Sequence, residues 1–144
     1  MSTETGTSLR VSRIIKAAPE TVFLAWTEPD QMNQWSAPEG MSIAAEVDLE
    51  VAGRYRLKMT SPEGEEYNAF GTYHEIDRPK RLVYTWAWEE KELDVGETVV
   101  TVEFNDVGGS TEVVITHELF PDAKARDDHE RGWSSCLNRL EGMY

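Results

Sequence analysis

One cysteine, three histidines and fourteen basic residues are all that this 144-residue chain has of three chemically demanding kinds of side chain, and each shortage excludes something. Cys136 has no partner for an internal disulfide, so a reducing cytoplasm is the expected location, and on a helical pattern a lone thiol reads as packing. His74, His117 and His129 lie on separate segments without H-x-x-x-H spacing, so no metal site is expected. Fourteen Lys and Arg against 27 Asp and Glu leave a net charge of -13, which repels phosphate backbones and anionic lipid heads. Nucleic acid and membrane surface are therefore set aside as partners. No stretch approaches the roughly 18 apolar residues of a membrane span, and MSTETGTSLR has no apolar signal core. There is no glycine-rich phosphate loop and no serine in a nucleophile-elbow setting, so no cofactor is expected and these motifs supply no catalytic residue.

What the chain has in plenty is alternation with aromatic weight on one parity. After the turn at Asp77-Arg-Pro-Lys80, Leu82, Tyr84, Trp86 and Trp88 alternate with Val83, Thr85 and Ala87. Period-two alternation marks a strand whose faces see different surroundings. Either the rings fill a core or they line a cavity that holds something apolar.

The rest of the chain falls into ordered elements. Residues 1–8 read as a flexible N-terminus and 9–144 as one domain. A strand over 9–15 comes first. Pro19 opens a helix that places Val22, Phe23 and Trp26 on one face. Thr27 is positioned to cap a second short helix carrying Met32 and Trp35. Tyr55, Leu57 and Met59 then alternate with Arg54, Arg56 and Lys58 as a half-buried strand, and Ser61-Pro-Glu-Gly64 turns the chain back. The returning strand over 66–76 has no clear facing: either Phe70, Thr72, His74 and Ile76 or Ala69, Gly71, Tyr73 and Glu75 point inward. Five carboxylates in 89–97 read as an exposed loop. Val100, Val102 and Phe104 make another strand, and Asp106-Val-Gly-Gly109 a hairpin turn. Val113, Ile115, His117 and Leu119 make the inner face of the last strand. Beyond Pro121, His129, Trp133, Cys136 or Leu137, Leu140 and Met143 form one helical stripe about six turns long, with Gly132 inside it.

This order predicts an α+β fold: a curved antiparallel sheet, two short helices after the first strand, and a long C-terminal helix. A helix is about 10 Å across, whereas six strands at about 4.8 Å spacing are more than twice as wide. The sheet has to curl around the helix, and space left unfilled becomes a cavity whose end the short helices plug.

The segments VSRIIKAAPETVFLAWTEPDQMNQW, VAGRYRLKM, GTYHEIDRPKRLVYTWAW, VTVEF, VVITHELF and HERGWSSCLNRL together resemble the START-like (SRPBCC) superfamily. They are most similar to its branch named for the activator of the heat-shock-protein-90 ATPase. The resemblance spans about residues 9–144 and implies the helix-grip fold, with a pocket between sheet and terminal helix. Relatives across the superfamily bind lipids, hormones and polyketides or act as cyclases and hydrolases. The eukaryotic chaperone activator carries a separate N-terminal domain outside these 144 residues, which places a chaperone partner behind a small-molecule one.

By parity, the candidate ligand-binding residues are Tyr55, Leu57, Met59, Tyr84, Trp86, Trp88 and His117 from the strands, Trp133 and Leu137 from the terminal helix, and Trp26 and Trp35 at the end. So many rings aimed at one space are hard to close-pack, and buried Trp and Tyr need hydrogen-bond partners. His117 sits on an apolar parity in ITHELF and reads either as a structural histidine or as a base or donor toward a ligand. Glu75 would orient it if its strand has that parity, while Glu118 points away. His74 and His129 read as surface residues. The leading expectation is a binding protein for a small hydrophobic ligand, aromatic or acyl. An enzyme of cyclase, dehydratase or hydrolase type and a chaperone-interacting protein remain alternatives, and the chain is monomer or homodimer.

Overall fold

The computed structural model describes residues 8–144, so most of the expected flexible N-terminus lies outside the described residues. Its elements run β1 (Leu9–Ile15), α1 (Pro19–Thr27), α2 (Pro29–Trp35), β2 (Ser42–Val47), β3 (Arg54–Thr60), β4 (Glu66–Asp77), β5 (Arg81–Trp88), β6 (Thr98–Val107), β7 (Ser110–Glu118) and α3 (Ala123–Glu141), with a 3-10 turn at Lys91–Leu93 between β5 and β6. All seven strands form one antiparallel sheet in the order β1-β7-β6-β5-β4-β3-β2. The segment holding α1 and α2 carries the chain from one edge of that sheet to the other. This is the helix-grip arrangement that the resemblance implies. Among the described residues no helix is long and apolar enough to cross a membrane.

Alternation sets the inner face. In β3 Tyr55, Leu57 and Met59 are buried while Arg54 and Arg56 are exposed. Across β5, β6 and β7 the rows Leu82–Val102–Ile115 and Tyr84–Val100–His117 are in register and buried. Terminal helix α3 answers with Leu137 and Leu140. Asp122 caps α3, its carboxylate accepting from the Ala125 N–H at 2.8 Å. Near the other end, Arg139 Nη1 donates to the carbonyls of Ala37, Pro38 and Met41 at 2.8, 3.1 and 3.1 Å, tying the α2–β2 loop to the helix. Gly108 and Gly109, both with positive φ, make the two-residue β6–β7 turn.

Local expectations need correction at several points. Thr27 does not cap α2. It ends α1, where its hydroxyl bonds back to the Phe23 carbonyl, and Glu28 holds the cap position without a side-chain bond. Leu119 is exposed because the chain leaves β7 with a positive φ at that residue. Helix α3 has 19 residues, about five turns rather than six. The undecided strand β4 buries Ala69, Gly71 and Tyr73 and exposes Phe70, and a bulge between Tyr73 and Glu75 then breaks the alternation.

Gly71 explains that facing. A Cβ there would run into the Thr85 carbonyl and lie 2.8 Å from the Tyr55 ring. The bare backbone lets the Tyr55 hydroxyl reach the Thr85 carbonyl at 2.5 Å and lets Thr85 Oγ1 accept the Thr72 N–H at 2.9 Å. Gly71→Ala is expected to destabilise the fold by about 2–4 kcal/mol in urea unfolding. Phe70→Thr, one residue away on the solvent face, should cost less than about 1 kcal/mol. Equal effects at the two positions would refute the close approach.

Candidate functional site

A cavity of about 590 Å³ lies between the β3–β5 side of the sheet and α3. Tyr55, Leu57, Met59, Tyr84, Trp86 and Trp88 line it from the strands. Trp133 lines it from α3, and Trp26 and Trp35 from α1 and α2, their rings 4.4 Å apart. The structure therefore brings nine of the eleven candidate residues to one space. The other two stand behind its wall. His117 is wholly buried, and Leu137 is packed into the core; neither reaches the cavity. Parity put both on the correct face, but parity says nothing of depth.

His117 instead organises the wall. The Thr98 hydroxyl donates to the Trp86 carbonyl at 2.8 Å, so its oxygen accepts the His117 Nε2–H at 2.7 Å. His117 Nδ1 is then the free acceptor, and the Trp133 indole N–H donates to it at 3.1 Å. His129, expected at the surface, does the same from α3. Its Nδ1–H donates to the Ala125 carbonyl at 2.8 Å, and its Nε2 accepts the Trp88 indole N–H at 3.0 Å. Two neutral imidazoles thus hold two of the cavity's tryptophans. Burial pushes the His117 pKa well below the usual histidine range, with His129 adding to the shift. His129 is also lowered by burial, against the pull of the Ala125 carbonyl and Asp128. No carboxylate orients His117: Glu75 lies beyond the β4 bulge, exposed and facing Arg81 at 3.5 Å.

The two ends of the cavity differ. At one end Tyr55, Tyr73 and Tyr84 cluster with ring centroids 5.3 to 6.0 Å apart. Burial raises all three phenols well above their ordinary range, so they stay protonated donors. Tyr84 Oη accepts the Trp26 indole N–H at 3.4 Å. At the mouth stand Glu92, Asp94, Asp122 and Asp128 with one cation, Lys124, which pairs with Asp128 at 2.9 Å. The 89–97 segment is thus more than an exposed loop, because Leu93 and Val95 turn inward between its carboxylates. Tyr73, Leu93 and Val95 were missed as site residues. A committed Tyr73 parity would have found the first, and the lone apolar pair in an acidic run was the signal for the others. Cys136 reaches the cavity too, but burial pushes its thiol up to about 12, which keeps it an inert sulfhydryl. Among the described residues no group of three or more His, Cys, Asp or Glu is placed to hold a metal ion.

Residues 16–144 match the protein family described as Activator of Hsp90 ATPase homolog 1-like. Solved structures similar to this chain include a protein from Chromobacterium violaceum, 26% identical, covering 95% of this chain and 96% of its own, with a TM-score of 0.84. A family protein from Silicibacter pomeroyi is 27% identical over 94% of this chain and 96% of its own, with a TM-score of 0.82. An HSP90 activator from Plasmodium falciparum is 25% identical, covers 95% of each chain and has a TM-score of 0.75. A search of curated proteins returns no match to the sequence.

The histidine bonds set a pH dependence. Unfolded, His117 takes up a proton near pH 6.5, whereas folded it resists protonation. Its contribution to stability is therefore complete above about pH 6.5 and declines as pH falls through that value toward the lowered folded pKa. The C2 proton of the His117 ring should keep its neutral-form NMR shift down to about pH 5.5. Titration near 6.5 would show that the Thr98–His117–Trp133 chain is not formed.

Proposed function

We propose that this chain, which belongs to the Activator of Hsp90 ATPase homolog 1-like family of START-like proteins, is a binding protein for a small hydrophobic ligand. The ligand, aromatic or acyl, sits between the sheet and α3. The supporting observation is the cavity itself: about 590 Å³, within the range of small-molecule sites and walled mainly by aromatic and aliphatic side chains. Its wall is held open by fixed hydrogen bonds rather than collapsed, because Trp88 and Trp133 are each anchored to a histidine behind or beside it. A wall built that way keeps its shape without a guest, which lowers the cost of ordering side chains on binding.

A second reading has one specific support, the kinship with an HSP90 activator. On that reading the protein raises the ATPase rate of an Hsp90-type chaperone. Adding it to a purified bacterial or eukaryotic Hsp90 and following ATP turnover tests this directly. An unchanged rate at saturating protein removes the chaperone reading and leaves the ligand one.

Gly132 offers a separate test of the cavity. It lies in mid-helix at the cavity wall, and a Cβ there meets nothing within 4 Å. Gly132→Ala should stabilise the protein by about 1 kcal/mol through helix propensity alone. Gly132→Leu should fill the space and weaken apolar ligands at least about tenfold, as equilibrium dialysis would measure, with no loss of thermal stability. A ligand that binds Gly132→Leu as tightly as wild type does not occupy this cavity.

A further inference from the structure

The unequal hydrogen bonding of the cavity narrows the ligand. Donors outnumber acceptors at its tyrosine end. Tyr55 donates to the Thr85 carbonyl and is satisfied. Tyr84 Oη accepts from Trp26 but its own O–H has no acceptor among the described residues. The hydroxyl of Tyr73, whose ring centroid lies 6.0 Å from that of Tyr84, makes no hydrogen bond among them either. Trp86 lines the cavity on the same strand face as Tyr84, is 8% exposed, and its indole N–H is buried without a partner. Leaving a buried donor unpaired costs on the order of 1–3 kcal/mol; the Trp86 N–H is one such donor, and two phenol O–H groups are unspent at the same cavity, so the site asks for an acceptor from outside.

The charge of that acceptor is constrained as well. Among the described residues no Lys or Arg lines the cavity except Lys124 at the mouth, which is largely exposed and already paired with Asp128. Glu92, Asp94, Asp122 and Asp128 surround the way in. A carboxylate would have to pass these four acids and then lie among neutral phenols with no counter-charge, which desolvation opposes. A neutral carbonyl oxygen meets neither penalty.

We infer that the ligand is an uncharged, largely apolar molecule bearing a carbonyl-type oxygen, such as a ketone, ester or amide, which accepts hydrogen bonds from Tyr73 and Tyr84. This rests on the ligand-binding reading above and assigns the polar end of the same site. Fatty-acid-like anions are excluded from it. The aromatic or aliphatic body of the ligand lies along Trp86 and Trp88 toward the mouth.

Three probes with one ring system separate the possibilities: 2-ethylnaphthalene, 2-acetylnaphthalene and 2-naphthoate, each measured by equilibrium dialysis at pH 7.5. In the wild type the ketone should bind at least about tenfold tighter than the carboxylate. Tyr73→Phe should weaken the ketone by about three- to tenfold and leave the hydrocarbon unchanged. That variant deletes no hydrogen bond among the described residues, so it should fold as the wild type does. Tyr84→Phe should act in the same way on the ketone, with thermal unfolding recorded because Trp26 loses its acceptor. Naphthoate binding as tightly as the ketone overturns the charge assignment. A ketone indifferent to both tyrosine substitutions, in a protein that still binds the hydrocarbon, overturns the polar assignment and spares the cavity. Failure of all three probes on the wild type overturns the ligand-binding reading itself.

Discussion

The structure depends on a mismatch of widths. Seven strands at about 4.8 Å spacing make a sheet roughly 29 Å wide, and the one long helix that covers it is about 10 Å across. The concave face cannot be closed by the helix alone. On the β7–β6 side the gap is filled by aliphatic residues, Val102 and Ile115 with Leu137 and Leu140. On the β3–β5 side the filling is aromatic, and rigid rings leave space where flexible leucines would have relaxed into it. Cavity and core are two outcomes of one constraint, divided by which side chains each strand carries.

Holding the aromatic half open requires fixing it from behind. Trp133 and Trp88 would otherwise be free to rotate into the empty volume. Each indole N–H is instead tied to an imidazole, one on β7 and one on α3, worth about 1 kcal/mol apiece. The imidazoles are fixed in turn, His117 by Thr98 and His129 by the Ala125 carbonyl, so each ring has both nitrogens engaged. The histidine that looked chemically interesting in the sequence thus acts through the tryptophans. Its lowered basicity follows from burial, with His129 adding to the shift, and a proton on Nδ1 would also displace the Trp133 bond.

How far the sequence could be read depended on what each signal encodes. Strong alternation at Tyr55–Met59 and Leu82–Trp88 reported the strands and their inner faces, because one face was buried throughout. It failed in β4, where the close approach at Gly71 and the bulge after Tyr73 are set by contacts with Thr85 on another strand. It also failed at Leu119, where a positive φ cancels the parity that Val113, Ile115 and His117 had established. Direction was legible, depth was not. His117 and Leu137 share the faces of Tyr84 and Trp133 yet lie a layer deeper, and only the curvature of the sheet separates them. The acidic 89–97 run hid its role for another reason: charge dominates its composition, while Leu93 and Val95 carry its contact with the cavity.

The polar side chains around the cavity are not equally free to act on a guest. Proton transfer needs a group with a free lone pair or a mobile proton facing the substrate. His117 does not face the cavity, both nitrogens of His129 are spent on structure, and the Cys136 thiol is kept protonated by burial. The phenols are donors held in the neutral form by burial. What remains is a set of unspent hydrogen-bond donors at the closed end, apolar rings along the length, and carboxylates around the opening. Each feature discriminates among guests by polarity and charge.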